Sequence, residues 1–199
     1  QVRFRVRGLD SEHSTMMING VAMNKIYDGR PQWGEWGGLN DALRNQEFTL
    51  GTTSSDYTFG GILGTQQINT RASIYRPGSR ISFSGTNTNY SWRTMVTHAS
   101  GMNARGWAFA VSAGKRRAHE GYFEGTSYDA NSFFISLEKK ISEKHSLNLT
   151  GMYTPNSRAK NSPNTTEVTQ LTNAKYNSYW GFQDGKKRNA RIKTIEEPT

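Results

Sequence analysis

Between residues 79 and 153 the chain alternates. Ile81, Phe83 and Gly85 share one face of a first segment, and Tyr90, Trp92, Thr94 and Val96 share one face of a second, opposite Ser91, Arg93 and Thr97. Trp107, Phe109, Val111 and Ala113 mark a third segment, Phe133, Ile135 and Leu137 a fourth, and Leu147, Leu149, Gly151 and Tyr153 a fifth. A period of two is the signature of a strand with one apolar face. Each segment is roughly 9–11 residues, the length with which a tilted strand crosses a bilayer. The same pattern fits any half-buried antiparallel sheet, so alternation alone leaves both readings open.

The connections separate them. Asn87-Thr88-Asn89 joins segments one and two, Ser100-Gly101-Met102-Asn103 joins two and three, and Ser142-Glu143-Lys144 joins four and five. A long loop, about Arg116 to Asn131, separates three from four, and a long polar tract from about Pro155 to Asn189 follows five. The long loops after three and five fall on one side, and the short turns after two and four fall on the other. Bacterial outer-membrane barrels sort their loops in this way, and a soluble sandwich has no reason to.

Residues 1–75 have another texture. Val2, Phe4 and Val6 alternate with Arg3, Arg5 and Arg7, as in a strand already under way at Gln1. No basic and apolar leader pattern precedes them, so the chain reads either as processed or, better, as a piece of something longer. Met16-Met17-Ile18 is a short strand running into Asn19-Gly20, a strong turn signal because both residues tolerate positive φ. Residues 39–44 suit one or two helical turns, and Glu47 to Gly51 and Gln67 to Thr70 suit strands.

Composition closes off several classes. Only 34% of the 199 residues are apolar, mean hydropathy is −0.77, and no run approaches the ~18 apolar residues of a spanning helix. Aromatic content of 12% with five prolines argues against disorder. The absence of cysteine removes disulfides, cysteine-based zinc sites and a thiol nucleophile. The four histidines, His13, His98, His119 and His145, have no metal-ligand spacing, and the glycines of 59–64 have no Lys-Ser/Thr behind them to make a phosphate loop. We therefore expect no enzyme, no cofactor and no metal. A net charge of +9 suits a polyanion.

Three motifs in order carry a resemblance: residues 16–23 (Met-Met-Ile-Asn-Gly-Val-Ala-Met), the segment 43–51, and 57–70 (Tyr-Thr-Phe-Gly-Gly-Ile-Leu-Gly-Thr-Gln-Gln-Ile-Asn-Thr). They resemble the plug domain of TonB-dependent outer-membrane receptors, and the alternating segments begin where such a receptor's barrel begins. Gly125, Tyr128 and the run 176–181 resemble Bacteroidetes-type receptors. The sequence departs from the pattern at Asn19, where Asp is commoner, and in 43–51, which lacks Arg-Gly-Pro. The resemblance implies a mainly β chain. A mixed α/β plug part (1–76) would be followed by the first antiparallel transmembrane strands and extracellular loops (77–199) of a roughly 22-stranded barrel.

It further implies uptake of a scarce solute or oligomer across a Gram-negative outer membrane, driven by a TonB-type energy-transducing protein. Outer-membrane lipid, lipopolysaccharide and a surface lipoprotein are the other partners. Tyr27, Arg30, Trp33 and Trp36 become ligand-contact candidates at the plug top, with Trp33 and Trp36 packing plug to barrel as the plainer alternative. His119, Glu120, Tyr122, Tyr128, Tyr179 and Trp180 become extracellular-loop candidates. Lys115-Arg116-Arg117 and Lys186-Lys187-Arg188 would meet lipopolysaccharide phosphate. Nucleic acid, stacked on Tyr176, Tyr179, Trp180 and Phe182, is the competing but weaker account. A passive porin and a soluble secreted β-protein that binds carbohydrate or polyanion remain the alternatives.

Overall fold

The computed structural model describes residues 8–31, 33–34 and 36–195. The strand expected over Val2 to Val6, with Arg3, Arg5 and Arg7, lies outside the described residues.

The N-terminal part builds a four-stranded sheet from β1 (Thr15–Ile18), β2 (Val21–Ala22), β3 (Gln46–Thr49) and β4 (Thr65–Ile68), in the order β2-β1-β4-β3. Asn19 and Gly20 sit at φ 49° and 83°, so the expected turn forms and joins β1 to β2 antiparallel. β1 and β4 run parallel, pairing Thr15 with Thr65 through Ile18 with Ile68. Residues 39–44 form a single turn closed by Leu43 N–H donating to the Leu39 carbonyl.

The alternating region is a seven-stranded sheet. β5 (Gly78–Gly85), β6 (Trp92–Ala99), β7 (Trp107–Ala118), β8 (Tyr128–Lys140) and β9 (Ser146–Tyr153) pair antiparallel with their chain neighbours. One register row runs Ile81–Val96–Ala113–Phe133–Tyr153, so the apolar sets of all five strands share one face. That face is open, with Ile81, Phe83, Ile135, Leu147 and Leu149 all exposed. The opposite face carries small residues: Ala99, Ala108, Ala110, Ser112, Ala130, Ser132 and Ser136 are buried. Small side chains let the backbone of the N-terminal part approach closely, and Met16, Ile18, Trp36, Leu39, Leu43 and Ile68 pack there with Ala99, Ala108, Ala110 and Phe134.

Gly38 marks the tightest approach. It adopts φ 94°, and a Cβ there would stand 2.8 Å from Ser132 Oγ and 3.0 Å from an Arg116 guanidinium nitrogen. Its carbonyl accepts from Ser132 Oγ at 3.3 Å. Gly38→Ala combines backbone strain with overlap. We expect a loss of about 2 kcal/mol, read as a lower urea midpoint, while Gly34→Ala, with open space around it, costs far less.

Two expectations are corrected. The loop placed at about Arg116 to Asn131 is only residues 119–127, because β7 and β8 continue their ladder through Arg117↔Asp129 and Ala118↔Tyr128. Here Lys115, Arg117 and Asp129 replace apolar residues, and Lys115 pairs with Asp129 at 2.9 Å, so the ladder outlasts the apolar signal. Tyr128 is accordingly a strand residue, not a loop residue.

The tract after Pro155 is also structured. It holds β10 (Asn156–Ala159), α1 (Thr166–Leu171), β11 (Trp180–Gln183), β12 (Lys186–Asn189) and β13 (Ile192–Ile195). β10 resumes the ladder on β8 immediately after β9, pairing Asn156 with Ala130, and β13 pairs with β10. Pro155 has no N–H to give and interrupts the strand, yet its carbonyl still accepts from Asn131 N–H at 3.0 Å. Polar residues on both faces of β10 hide it from a search for alternation.

Candidate functional site

The two candidate groups sit on different elements. In the first, Asn24 anchors the segment 24–31 by donating to the Ser14 and Gly29 carbonyls (2.8 and 2.7 Å) and accepting from Met16 N–H (2.8 Å). Arg30 is already committed: its guanidinium meets Glu12 at 2.9 Å and Asp10 at 3.3 Å. The hydrogen bond to Glu12 raises the Arg30 pKa. Tyr27 is exposed, with the Lys25 ammonium 4.6 Å from its ring centroid. Lys25 also binds Asp28 and holds that carboxyl below its ordinary value.

Trp33 and Trp36 meet edge to face at 5.8 Å, but their surroundings differ. Trp36 is 4% exposed and belongs to the core, whereas Trp33 is 41% exposed. The packing alternative describes Trp36, and the ligand role remains open to Trp33. Tyr27 and Arg30 are not brought into contact with the tryptophan pair by any bond among the described residues.

The second group lies at the end of the large sheet that carries residues 86–91, 119–127 and 160–191. These loops bind one another: Tyr122 N–H donates to the Thr88 carbonyl (2.8 Å) and Glu124 N–H to the Lys175 carbonyl (2.9 Å). A polar cavity of about 350 Å³ opens between them, lined by Thr88, Tyr90, Glu120, Tyr122 and Lys175 among others. Glu120 also caps its own loop, accepting from Gly125 N–H at 3.2 Å. His119 is exposed outside this cavity. Trp180 opens β11 and lies over Gly125, where a Cβ would meet its ring, and Lys187 sits 5.4 Å from its centroid. Tyr179 carries Arg191 at 5.8 Å. Trp180 thus holds β11–β12 onto the 119–127 loop and is itself partly buried there.

Sequence reasoning missed Tyr90 and Lys175, which line this cavity, and missed that Arg116 stands on the covered face of the sheet. Tyr90 was assigned only to a strand face, and Lys175 sits in a tract with no pattern. Arg116 was grouped with Lys115 and Arg117, yet a period of two puts it on the other face. Its guanidinium packs against Gly37 and Gly38 and 5.4 Å from the Tyr128 ring. Among the described residues no cluster of His, Asp and Glu is placed to hold a metal, and no helix is long and apolar enough to cross a membrane.

No family model matches the chain, and no curated protein does. Its fold is similar to that of part of the siderophore receptor PiuA from Acinetobacter baumannii. The two agree with a TM-score of 0.54 at 18% identity, over 80% of this chain and 21% of that one. The chain therefore spans about a fifth of that receptor's length. The likeness is one of fold alone: a mainly β chain with antiparallel sheets.

Proposed function

We propose that the chain is a segment of a TonB-dependent outer-membrane receptor that binds a scarce solute at the outer face and imports it. Residues 1–76 form part of the plug, and residues 77–199 form the first strands and outer loops of the barrel. One observation carries this reading: a sheet has one continuous apolar exposed face, and its small-residue face is covered by the N-terminal part of the chain. An apolar outer band belongs against lipid, and a covered inner face belongs around a plug. The fold shared with part of a siderophore receptor supports it. The Bacteroidetes-type assignment rests on sequence resemblance alone.

On this reading the loops at residues 119–127 and 160–191 face outward. Glu120, Tyr122, Tyr179 and Trp180 meet the solute or a surface lipoprotein there, and Lys115 and Arg117 meet lipopolysaccharide phosphate. Transport is an instance of two-site coupling: solute outside and a TonB-type protein inside bias the same plug.

Fractionation of cells that express the full-length protein tests the reading. Recovery in the outer-membrane fraction, with solute uptake lost when the TonB-type protein is deleted, is the expected result. Recovery in the soluble fraction overturns it, and uptake that survives the deletion replaces it with a passive channel. Trp33→Ala should weaken solute binding about tenfold, the contribution of one good aromatic contact, with an unchanged unfolding midpoint. Equal affinity in titration calorimetry removes Trp33 from the site.

A further inference from the structure

Arg93 and Arg116 are direct partners across β6 and β7. Both therefore project from the covered face, at a Cβ separation of about 5 Å, where like charges repel. No anionic partner meets either guanidinium among the described residues. The nearby carboxylates are committed elsewhere: Asp41 to Arg44 and Arg80, Glu138 to Arg71, and Asp129 to Lys115 and Arg117 on the other face. The Nε atoms of both arginines are out of solvent and have no hydrogen-bond partner. Each residue as a whole is only half-buried, so the pair remains reachable.

Two adjacent guanidiniums with unsatisfied inner nitrogens are unfavourable as they stand. Burying an unpaired charge costs several kcal/mol unless an opposite charge compensates. Arg116 has defined surroundings: its guanidinium lies beside Gly37 and Gly38 and 5.4 Å from the Tyr128 ring centroid, itself 6.1 Å from that of Tyr90. A pair of oxygens on one carboxylate or phosphate group matches the guanidinium fork in geometry and charge. We propose that Arg93 and Arg116 form an oxyanion subsite and that the solute is anionic, presenting a carboxylate or phosphate group to this pair. This names the chemical class of the solute and rests on the transport reading above. A lipid phosphate at the rim of the exposed face would meet Lys115 and Arg117 instead, because they project from the opposite side of β7.

The test uses full-length protein in detergent with citrate and inorganic phosphate as probes, and chloride at equal ionic strength as the reference. Citrate or phosphate should raise the thermal unfolding midpoint of the wild type above that in chloride. Arg93→Gln with Arg116→Gln should weaken the calorimetric Kd at least tenfold, while Lys115→Gln with Arg117→Gln should leave it unchanged. In chloride, Arg93→Gln alone should unfold at a higher temperature than wild type, since it relieves the repulsion; an arginine with a merely structural role would give the reverse. The inference is overturned if neither anion shifts the wild-type midpoint, or if the shift survives the Arg93/Arg116 double substitution. The wild-type measurement decides even if the double variant does not fold. An outer-membrane protein indifferent to both anions loses the subsite and keeps the transport reading. A soluble protein stabilised by them loses transport and keeps the subsite.

Discussion

Arg71→Met is expected to lower stability by about 3 kcal/mol, and Glu138→Gln by less than half as much. The two residues form one ion pair at 2.5 Å between the end of the N-terminal part and β8, and Arg71 also reaches Ser146 Oγ. Their burial is unequal: Glu138 is 2% exposed, and Arg71 is 40% exposed. Without Arg71, the Glu138 carboxylate stays buried with only Ser73, through its N–H at 2.9 Å and its hydroxyl, to compensate it. Stranding one partner of a buried pair costs about 3–5 kcal/mol, and the exposure of Arg71 points to the lower end. Glu138→Gln instead strands a cation that water can still reach, and the amide oxygen can keep a bond to Arg71 or Ser73. Urea unfolding of the full-length protein in detergent, with limited proteolysis of residues 8–75, reads both variants. Equal losses would show that burial does not set the asymmetry.

That joint was invisible in the sequence, and the reason is instructive. Phe134, Ser136 and Glu138 stand on the face opposite Phe133, Ile135 and Leu137, so the alternation that reveals β8 files them together as its polar side. It cannot say that the polar side is buried. What covers a face is a property of chain segments far apart, here Arg71 and residue 138. The same limit explains Trp36 and Trp33, three residues apart and indistinguishable in composition, one in the core and one in solvent. It explains Arg116 as well, inside a basic run whose members face opposite ways.

What was legible depended on local rules. The five long strands follow from period two, and the β1–β2 turn follows from the tolerance of Asn19 and Gly20 for positive φ. The single turn at 39–44 was legible as helical propensity, and it buries Leu39 and Leu43. β10 escaped because both of its faces are polar above the apolar band, so nothing alternates there. The loop layer escaped for a related reason: its order comes from side-chain amides bonded to backbone, which leave no periodic trace.

Asn177 shows how much such an amide can hold, and Asn177→Ala is expected to cost about 3 kcal/mol. Its side chain is 1% exposed and makes four bonds. Nδ2 donates to the carbonyls of Glu124 (2.8 Å) and Lys160 (3.2 Å), and Oδ1 accepts from Ser162 N–H (3.0 Å) and Tyr179 N–H (3.2 Å). One residue thus satisfies backbone groups from three separate stretches of loop. Alanine would leave two donors and the Glu124 carbonyl to find water or go without, since the Lys160 carbonyl keeps its bond from Asn189 Nδ2, at about 1–3 kcal/mol for each that stays buried. Partial hydration keeps the total near the low end of that sum. Asn177→Asp, nearly the same shape, should be no better, because a carboxylate faces the Glu124 and Lys160 carbonyls with no proton to offer. The loss should be local: loops open below the free energy of global unfolding. Hydrogen exchange should therefore accelerate at Ser162 and Tyr179 and remain slow in β7 and β8. Tyr179 and Trp180 are positioned through this hub, so under the proposed function solute or partner binding should weaken along with the protection. Unchanged exchange at both amides would mean that the loops are held by their other contacts, Asn189 to Gly125 and Lys160 foremost.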